Sequence, residues 1–234
     1  IIDKTKFAIS NEETRYYLNG IYIHAIDENN EKKLRAVATD GHRLAKFETT
    51  LPQDANKIPG IIIPKKTINE VRKIIEDYSG VIKISLDESK ILFNINNVTL
   101  SSKLIDGSFP DYEKVIPKNN DKSFSVDKKL IYEAVDRVST VSSEKTRSIK
   151  LVVFENNISL SSSSAETGTG AEDIKIKYSG EKLEVGYNAR YLMEIINQID
   201  GDLITFELFD SSSPSIILDN TSKNSLYILM PMRV

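Results

Sequence analysis

The chain has 234 residues, of which 40% are hydrophobic and 28% are charged, and its formal net charge is −3. This composition is typical of a globular protein with one large domain or two smaller ones, and the acidic balance argues against coating nucleic acid through bulk charge. Because the sequence contains no cysteine, it excludes disulfides, thiol catalysis and cysteine-based metal sites.

Strand and helix patterns alternate through the first half of the chain. Ile21, Ile23 and Ala25 occupy every second position, which predicts a strand. Apolar residues at helical spacing follow Pro64 and predict a helix that starts at Lys65-Lys66 or at Thr67 and ends before Gly80. They are Ile68, Val71, Ile74, Ile75 and Tyr78. Strands are expected at about 81–86, 91–95 and 99–104.

The second half repeats this order. A helix is expected over about 127–139, with an apolar face of Leu130, Ile131, Ala134 and Val138. Asn188 is a candidate N-cap for another helix, which ends before Gly201. Its apolar face consists of Leu192, Ile195, Ile196 and Ile199. Strands are expected at about 203–209, 215–218 and 225–230.

The two halves indicate a duplicated domain. The spacing from Ile74-Ile75 to Gly80 equals that from Ile195-Ile196 to Gly201. The polar run 117–122 favours a boundary that gives domains 1–118 and 119–234. With two helices and about eight short strands in each half, the predicted class is α+β, with antiparallel sheets covered by paired helices. The first-half counterpart of helix 127–139 would need residues before Ile1, so we expect the domain 1–118 to be truncated at its N-terminus.

The run Thr39-Asp40-Gly41-His42-Arg43-Leu44 holds a histidine, an arginine, a carboxylate and a glycine together. Asp40 and His42 could serve a hydrolase, but a triad also needs a nucleophile and oxyanion donors, and no G-x-S-x-G run is present. We therefore favour a binding surface, with a merely structural role and the hydrolase as alternatives. His24 lies in an alternating strand and is expected to face solvent or a sheet edge.

Metal and phosphate sites are not expected. Two histidines and no cysteine, without carboxylates at matching spacing, do not predict a metal site. The run Asp27-Glu28-Asn29-Asn30-Glu31 lacks the glycine of a calcium loop and is interpreted as a solvated hairpin tip. Gly168-Thr169-Gly170 lacks a third glycine and a following helix, so it predicts a flexible loop.

Basic residues share the helix face opposite the apolar stripe after Pro64. Such a face can contact phosphates without reading bases, which keeps a plain DNA-binding protein open as an alternative. Glu70 and Glu76 dilute it, so an ordinary solvated face is equally compatible. The residues of this face are Lys65, Lys66, Asn69, Arg72 and Lys73.

The C-terminal run Leu229-Met230-Pro231-Met232-Arg233-Val234 is apolar almost to the last residue, whereas termini are usually polar. Methionine is flexible and polarisable, which suits a groove that accepts several partners. The alternative is a strand tail that packs on its own core.

Four motifs together resemble those of the bacterial DNA polymerase III β subunit, the β sliding clamp family. They are Arg15-Tyr16-Tyr17-Leu18-Asn19-Gly20, Ala38-Thr39-Asp40-Gly41-His42-Arg43-Leu44-Ala45, Asp106-Gly107-Ser108-Phe109-Pro110-Asp111-Tyr112 and Met230-Pro231-Met232-Arg233. The resemblance covers the whole chain in the same order. Family members have three similarly folded domains, and this chain resembles the second and third.

The resemblance implies two tandem DNA-clamp domains, with helices on the inner wall of a ring and sheets outside. Two subunits close head to tail around duplex DNA and tether polymerase without sequence preference, as a cytoplasmic, non-catalytic processivity factor without cofactor. The implied partners are the DNA polymerase III catalytic subunit, an ATP-driven clamp loader and repair polymerases or other replication proteins. The full-length protein is implied to be a homodimer, whereas a fragment without the first domain is expected to be monomeric and not to retain DNA.

The resemblance also implies one peptide-binding groove per chain, between the two domains present, for short peptides with leucine and phenylalanine anchors. The matching positions are Leu18, Thr39, Gly41, His42, Arg43, Leu44, Pro110, Val115, Pro214, Ile228, Met230, Pro231 and Met232. The candidate DNA-facing residues are Arg15, Tyr16, Lys65, Lys66, Arg72 and Lys73.

Overall fold

The computed structural model describes residues 1–28, 30–52, 55 and 58–233. The chain divides into two compact units, unit 1 over Ile1–Asp111 and unit 2 over Tyr112–Val234. This division falls before the predicted boundary at residue 118, because the short 3-10 turn Tyr112–Val115 belongs to unit 2. Asn29, in the predicted hairpin tip, and Val234, at the end of the C-terminal run, lie outside the described residues.

Unit 1 contains two antiparallel sheets. Strands β4, β1, β2 and β3 pair in that order, and β5, β6 and β7 form the other sheet. Two 3-10 turns, Lys6–Ala8 and Glu13–Leu18, precede β1. The elements are α1 (Ile2–Thr5), β1 (Gly20–Glu28), β2 (Glu31–Thr39), β3 (Arg43–Thr50), β4 (Ile61–Pro64), α2 (Lys65–Ile74), β5 (Lys83–Leu86), β6 (Lys90–Ile95) and β7 (Val98–Lys103).

Helix α2 begins at Lys65, directly after Pro64, which is the earlier of the two predicted starts. It buries Thr67, Ile68 and Val71, which recur at the spacing of one helical face. The helix ends at Ile74, earlier than the apolar pattern suggested, and the chain continues in turns.

Unit 2 also contains two antiparallel sheets. Strands β11, β10, β9 and β12 form one, and β15, β14, β13 and β8 form the other. The elements are β8 (Lys122–Asp127), α3 (Lys128–Ser139), β9 (Ser148–Phe154), β10 (Asn157–Ser164), β11 (Gly168–Lys175), β12 (Leu183–Asn188), α4 (Ala189–Ile196), β13 (Leu203–Leu208), β14 (Ser215–Asp219) and β15 (Ser222–Leu229).

Both long helices of unit 2 begin at side-chain caps. Asp127 accepts a hydrogen bond from the Leu130 N–H (2.8 Å), and Asn188 accepts one from the Tyr191 N–H (3.1 Å), which confirms the predicted N-cap. The predicted apolar face of α3 is wrong at Leu130, which is 53% exposed. Val135 is buried instead, because positions 131, 134, 135 and 138 make the continuous stripe.

Among the described residues, no helix is long and apolar enough to cross a membrane.

Candidate functional site

The turn between β2 and β3 is held by hydrogen bonds among its own residues. Asp40 Oδ1 accepts from the backbone N–H groups of His42 (2.9 Å) and Arg43 (3.0 Å). The Thr39 hydroxyl donates to the Arg43 carbonyl oxygen (2.6 Å) and accepts from the Gly41 N–H (3.1 Å). These short polar side chains satisfy backbone groups at the tip, which fixes the conformation of the turn.

Glycine is favoured at position 41 for two reasons. Its φ angle of +88° lies in the left-handed region that favours glycine. A Cβ added there would also lie 2.6 Å from Nη1 of Arg15. Arg15 Nη2 donates to the Asp40 carbonyl oxygen (2.9 Å), and the guanidinium also binds both carboxylate oxygens of Glu12. The structure therefore places Arg15 against this turn, although the sequence assigned it to a DNA-facing surface.

Arg43 anchors the turn to the N-terminal segment. Its Nε donates to Asp40 Oδ2 (3.2 Å) and its Nη2 donates to the Phe7 carbonyl oxygen (2.6 Å). The guanidinium carbon lies 5.1 Å from the centre of the Phe7 ring, at cation–π distance. Because Arg43 is only 7% exposed, its main contribution is to hold the turn rather than to contact a ligand.

The remaining first-half positions differ in exposure. Leu18 and Leu44 are buried, whereas His42 is exposed at the tip. The Asp40 carboxylate is committed to the turn through both of its oxygens, which gives it a structural role. This geometry weakens the hydrolase alternative, because a catalytic histidine needs an orienting carboxylate.

An aromatic stack holds the segment that carries Pro110. The Phe109 ring stacks on Tyr22 at 4.9 Å between centroids, and Tyr22 stacks on His24 at 4.7 Å. His24 is therefore half-buried on a sheet face. Pro110 itself is exposed, and so is Tyr16.

In unit 2, the C-terminal segment leaves β15 and is fixed to β12. The Met232 N–H donates to the Gly186 carbonyl oxygen (2.8 Å), and the two residues form an isolated antiparallel bridge. Met230 is 36% exposed, whereas Ile228 is buried in β15. Pro231 therefore ends the strand without freeing the chain, because the next residue pairs with a neighbouring sheet.

An open cleft of about 670 Å³ lies along this C-terminal segment. It brings together Pro231 and Met232, which were predicted groove positions, with residues that were not: Lys150, Glu184, Gly186, Ser211, Ser212 and Arg233. Gly186 offered a weak signal, since glycine in a strand can mark close approach of another backbone. The predicted Pro214 is half-buried, close in sequence to Ser211 and Ser212 of the cleft. The predicted Val115 is exposed elsewhere in unit 2.

The basic face of α2 is partly neutralised by neighbours. Arg72 binds both carboxylate oxygens of Asp3 (2.9 Å each), and this hydrogen bonding raises the pKa of Arg72. Lys73 pairs with Glu70 (3.1 Å). Lys65 and Lys66 line the same open depression of about 610 Å³, which retains a cationic rim.

Two family models match the chain in sequence order. The DNA polymerase III beta subunit central domain matches residues 1–111, and the C-terminal domain of the same subunit matches residues 113–233. The chain therefore belongs to the DNA polymerase III beta subunit family. These matches confirm the resemblance seen in the motifs and support neither the hydrolase nor the plain DNA-binding alternative.

Relatives in this family are named beta sliding clamps. The chain is 47% identical over 234 residues to that of Caulobacter vibrioides and 32% identical over 234 residues to that of Escherichia coli. Each alignment covers 100% of this chain and 63% of the relative. The chain thus spans less than two thirds of the length of these relatives.

Solved structures agree with the fold. A crystal structure of the C. crescentus beta sliding clamp matches with a TM-score of 0.97 at 47% identity, covering 100% of this chain and 62% of that chain. The DNA polymerase III subunit beta of Pseudomonas aeruginosa matches with a TM-score of 0.93 at 33% identity, covering 100% and 63%. The predicted α+β fold of two tandem clamp domains is confirmed.

Proposed function

We propose that this chain is the partner-recruiting part of a bacterial sliding clamp, in a ring that two subunits close around duplex DNA. The observation that carries this proposal is the match of the whole chain, in order, to the central and C-terminal clamp domains. The role is non-catalytic, because a ring retains polymerase on DNA by topology. It needs neither a cofactor nor sequence-specific base contacts.

The proposed partners bind through short peptides with leucine and phenylalanine anchors. They are the DNA polymerase III catalytic subunit, the clamp loader and other replication or repair proteins. Burying the two anchors supplies roughly 3–6 kcal/mol before ordering costs. An affinity on the order of micromolar for a lone peptide is therefore expected, and tethering to DNA adds avidity.

The turn in unit 1 suits this role because it is held in one conformation before any ligand arrives. Asp40, Thr39 and Arg43 fix its backbone, and exposed His42 projects from its tip. A preorganised surface loses less entropy on binding than a mobile loop does. We propose that this turn contributes direct contacts through His42 and Gly41, with Arg43 as their support.

The C-terminal segment in unit 2 suits the same role for a different reason. Its backbone is fixed at Met232, whereas Met230 keeps an exposed thioether side chain. A fixed backbone with adaptable side chains can accept peptides of different sequence. We propose that Met230, Pro231 and Met232 contact the apolar anchors.

The proposal is tested with a fluorescein-labelled synthetic peptide that carries adjacent leucine and phenylalanine anchors. Truncation after Leu229 should abolish binding in anisotropy titrations and leave the far-ultraviolet circular dichroism unchanged, because it keeps all of β15 and removes the short bridge from Met232 to Gly186. Leu203→Ala is the matched control, since it also removes an exposed aliphatic side chain from unit 2. Unchanged affinity after the truncation would overturn the assignment.

A further inference from the structure

Asn120 ties together the ends of a hairpin loop in unit 2. It lies just before β8, which pairs with β13, and β13 pairs with β14. Its Nδ2 donates to the carbonyl oxygens of Glu207 (2.8 Å) and Pro214 (3.1 Å). These two carbonyls stand at either end of the loop 209–214, so one amide group spans the neck of the loop.

The orientation of the Asn120 amide follows from its partners. Carbonyl oxygens only accept hydrogen bonds, so the amide nitrogen must face them. The Oδ1 atom then points elsewhere, and it is buried without a hydrogen-bond partner among the described residues.

The loop itself is internally rigid. Asp210 Oδ1 accepts from the backbone N–H groups of Ser212 (2.8 Å) and Ser213 (2.6 Å). The Lys122 ammonium group lies 5.6 Å from the centre of the Phe209 ring. These contacts fix the shape of the loop, and its position then depends on how its two ends are held.

The position of this loop matters because Ser211 and Ser212 line the same cleft as Pro231 and Met232. We propose that Asn120 is a positioning residue for peptide binding. By holding the two ends of the loop 209–214 together, it fixes the position of Ser211 and Ser212 in the cleft. This inference rests on the proposed function of the C-terminal segment. Asn120 acts through the loop rather than by touching the peptide.

The test compares Asn120→Asp and Asn120→Ala with a control. Aspartate keeps the size of the side chain but presents oxygens to both carbonyls, so it should loosen the neck more than alanine does. Ser125→Ala is the matched control, because it removes one hydrogen bond (2.7 Å, to Thr205) between the same two strands, β8 and β13, away from the loop. The readouts are amide exchange of Ser212 and Ser213, and affinity for the fluorescein-labelled peptide.

For Asn120→Asp we expect faster amide exchange in the loop and a roughly threefold or larger rise in the Kd for the peptide. Asn120→Ala should show a smaller rise. Ser125→Ala should change neither. Loop exchange or peptide affinity like that of the parent chain in Asn120→Asp would overturn the inference. If the parent chain itself binds no peptide, the proposed function fails, and unchanged loop exchange would still refute the anchoring by Asn120.

Discussion

Replacement of Gly41 by alanine separates the geometry of the turn from the stability of the fold. Gly41 adopts a φ of +88°, and Gly168 adopts a comparable φ of +95° in the β10–β11 hairpin. A Cβ at Gly168 would meet no heavy atom within 4 Å, whereas one at Gly41 would lie 2.6 Å from Arg15 Nη1. Gly168→Ala is therefore a control that carries the backbone strain without the crowding.

The expected magnitudes follow from these contacts. Alanine in the left-handed region costs about 1–2 kcal/mol, so each substitution should lower the free energy of unfolding by a similar amount. The guanidinium of Arg15 ends a flexible side chain and can withdraw, so crowding should add little to that loss. Withdrawal, however, breaks its hydrogen bond to the Asp40 carbonyl oxygen (2.9 Å) and releases one restraint on the tip.

Unfolding in guanidinium chloride measures the loss of stability, and fluorescence anisotropy of the labelled peptide measures the loss of affinity independently. We expect both alanine variants to lose similar stability, but only Gly41→Ala to weaken peptide binding. In an Arg15→Ala background the crowding is absent, so Gly41→Ala should then have a smaller additional effect on affinity. Peptide binding by Gly41→Ala that equals that of the parent chain, or an equal loss of binding in Gly168→Ala, would contradict this role of the turn.

Three further predictions concern buried charge, acid stability and DNA. Arg43→Ala should lower the free energy of unfolding by roughly 2–4 kcal/mol, because it removes the side-chain donor to Asp40 Oδ2 and to the Phe7 carbonyl oxygen; a loss below about 0.5 kcal/mol in denaturant titrations would contradict this. Burial alone would raise the pKa of Asp219, but hydrogen bonds from Thr221 and Asp200 outweigh it and hold the pKa below its usual value. The stability from Asp219 should thus be present above about pH 4 and be lost as pH falls through the lowered pKa, and Asp219→Asn should reduce the difference in urea midpoint between neutral and acidic buffer. The chain should bind short linear duplex DNA only weakly, with Kd on the order of 10⁻⁴ M near physiological salt. Lys66→Ala should reduce the slope of log Kd against log salt concentration by about one, whereas the control Lys223→Ala should not. Tight, salt-sensitive binding would instead favour a plain DNA-binding protein.

Local signals were enough to predict where the helices begin. Pro64 and Asn188 act on the backbone within three or four residues of their own position, so the residue type alone carries the information. The duplication and the α+β class also followed from spacing within short windows. The end of α2 was less predictable, because apolar residues continue at helical spacing to Tyr78 although the helix stops at Ile74.

The roles of the two arginines at the turn could not be predicted, because their partners are remote in sequence. Arg43 donates to a carbonyl oxygen 36 residues away, and Arg15 donates to one 25 residues away. Arginine is usually exposed, and both residues were expected to contact a ligand, Arg43 in the peptide groove and Arg15 on the DNA-facing surface, rather than to anchor the turn. The peptide contacts of His42 and of the C-terminal methionines stay a prediction, since they depend on a partner.

Asp40 and Asp210 stabilise their loops in the same way, with one carboxylate oxygen accepting the N–H groups two and three residues ahead. Asp87 does the same in the β5–β6 turn, which contains none of the candidate site residues. This device is therefore a general solution for tight turns in the chain and does not itself mark function. The two candidate loops add side-chain anchors to remote backbone groups, from the guanidinium groups of Arg15 and Arg43 in unit 1 and from the amide of Asn120 in unit 2. The Asp87 turn is instead joined to its surroundings by a backbone hydrogen bond, from the Leu104 N–H to the Ser89 carbonyl oxygen (2.8 Å). A turn held only by its aspartate can tilt as a rigid piece, whereas a second anchor also fixes where it lies, and a preformed peptide surface requires a fixed position as well as a fixed shape.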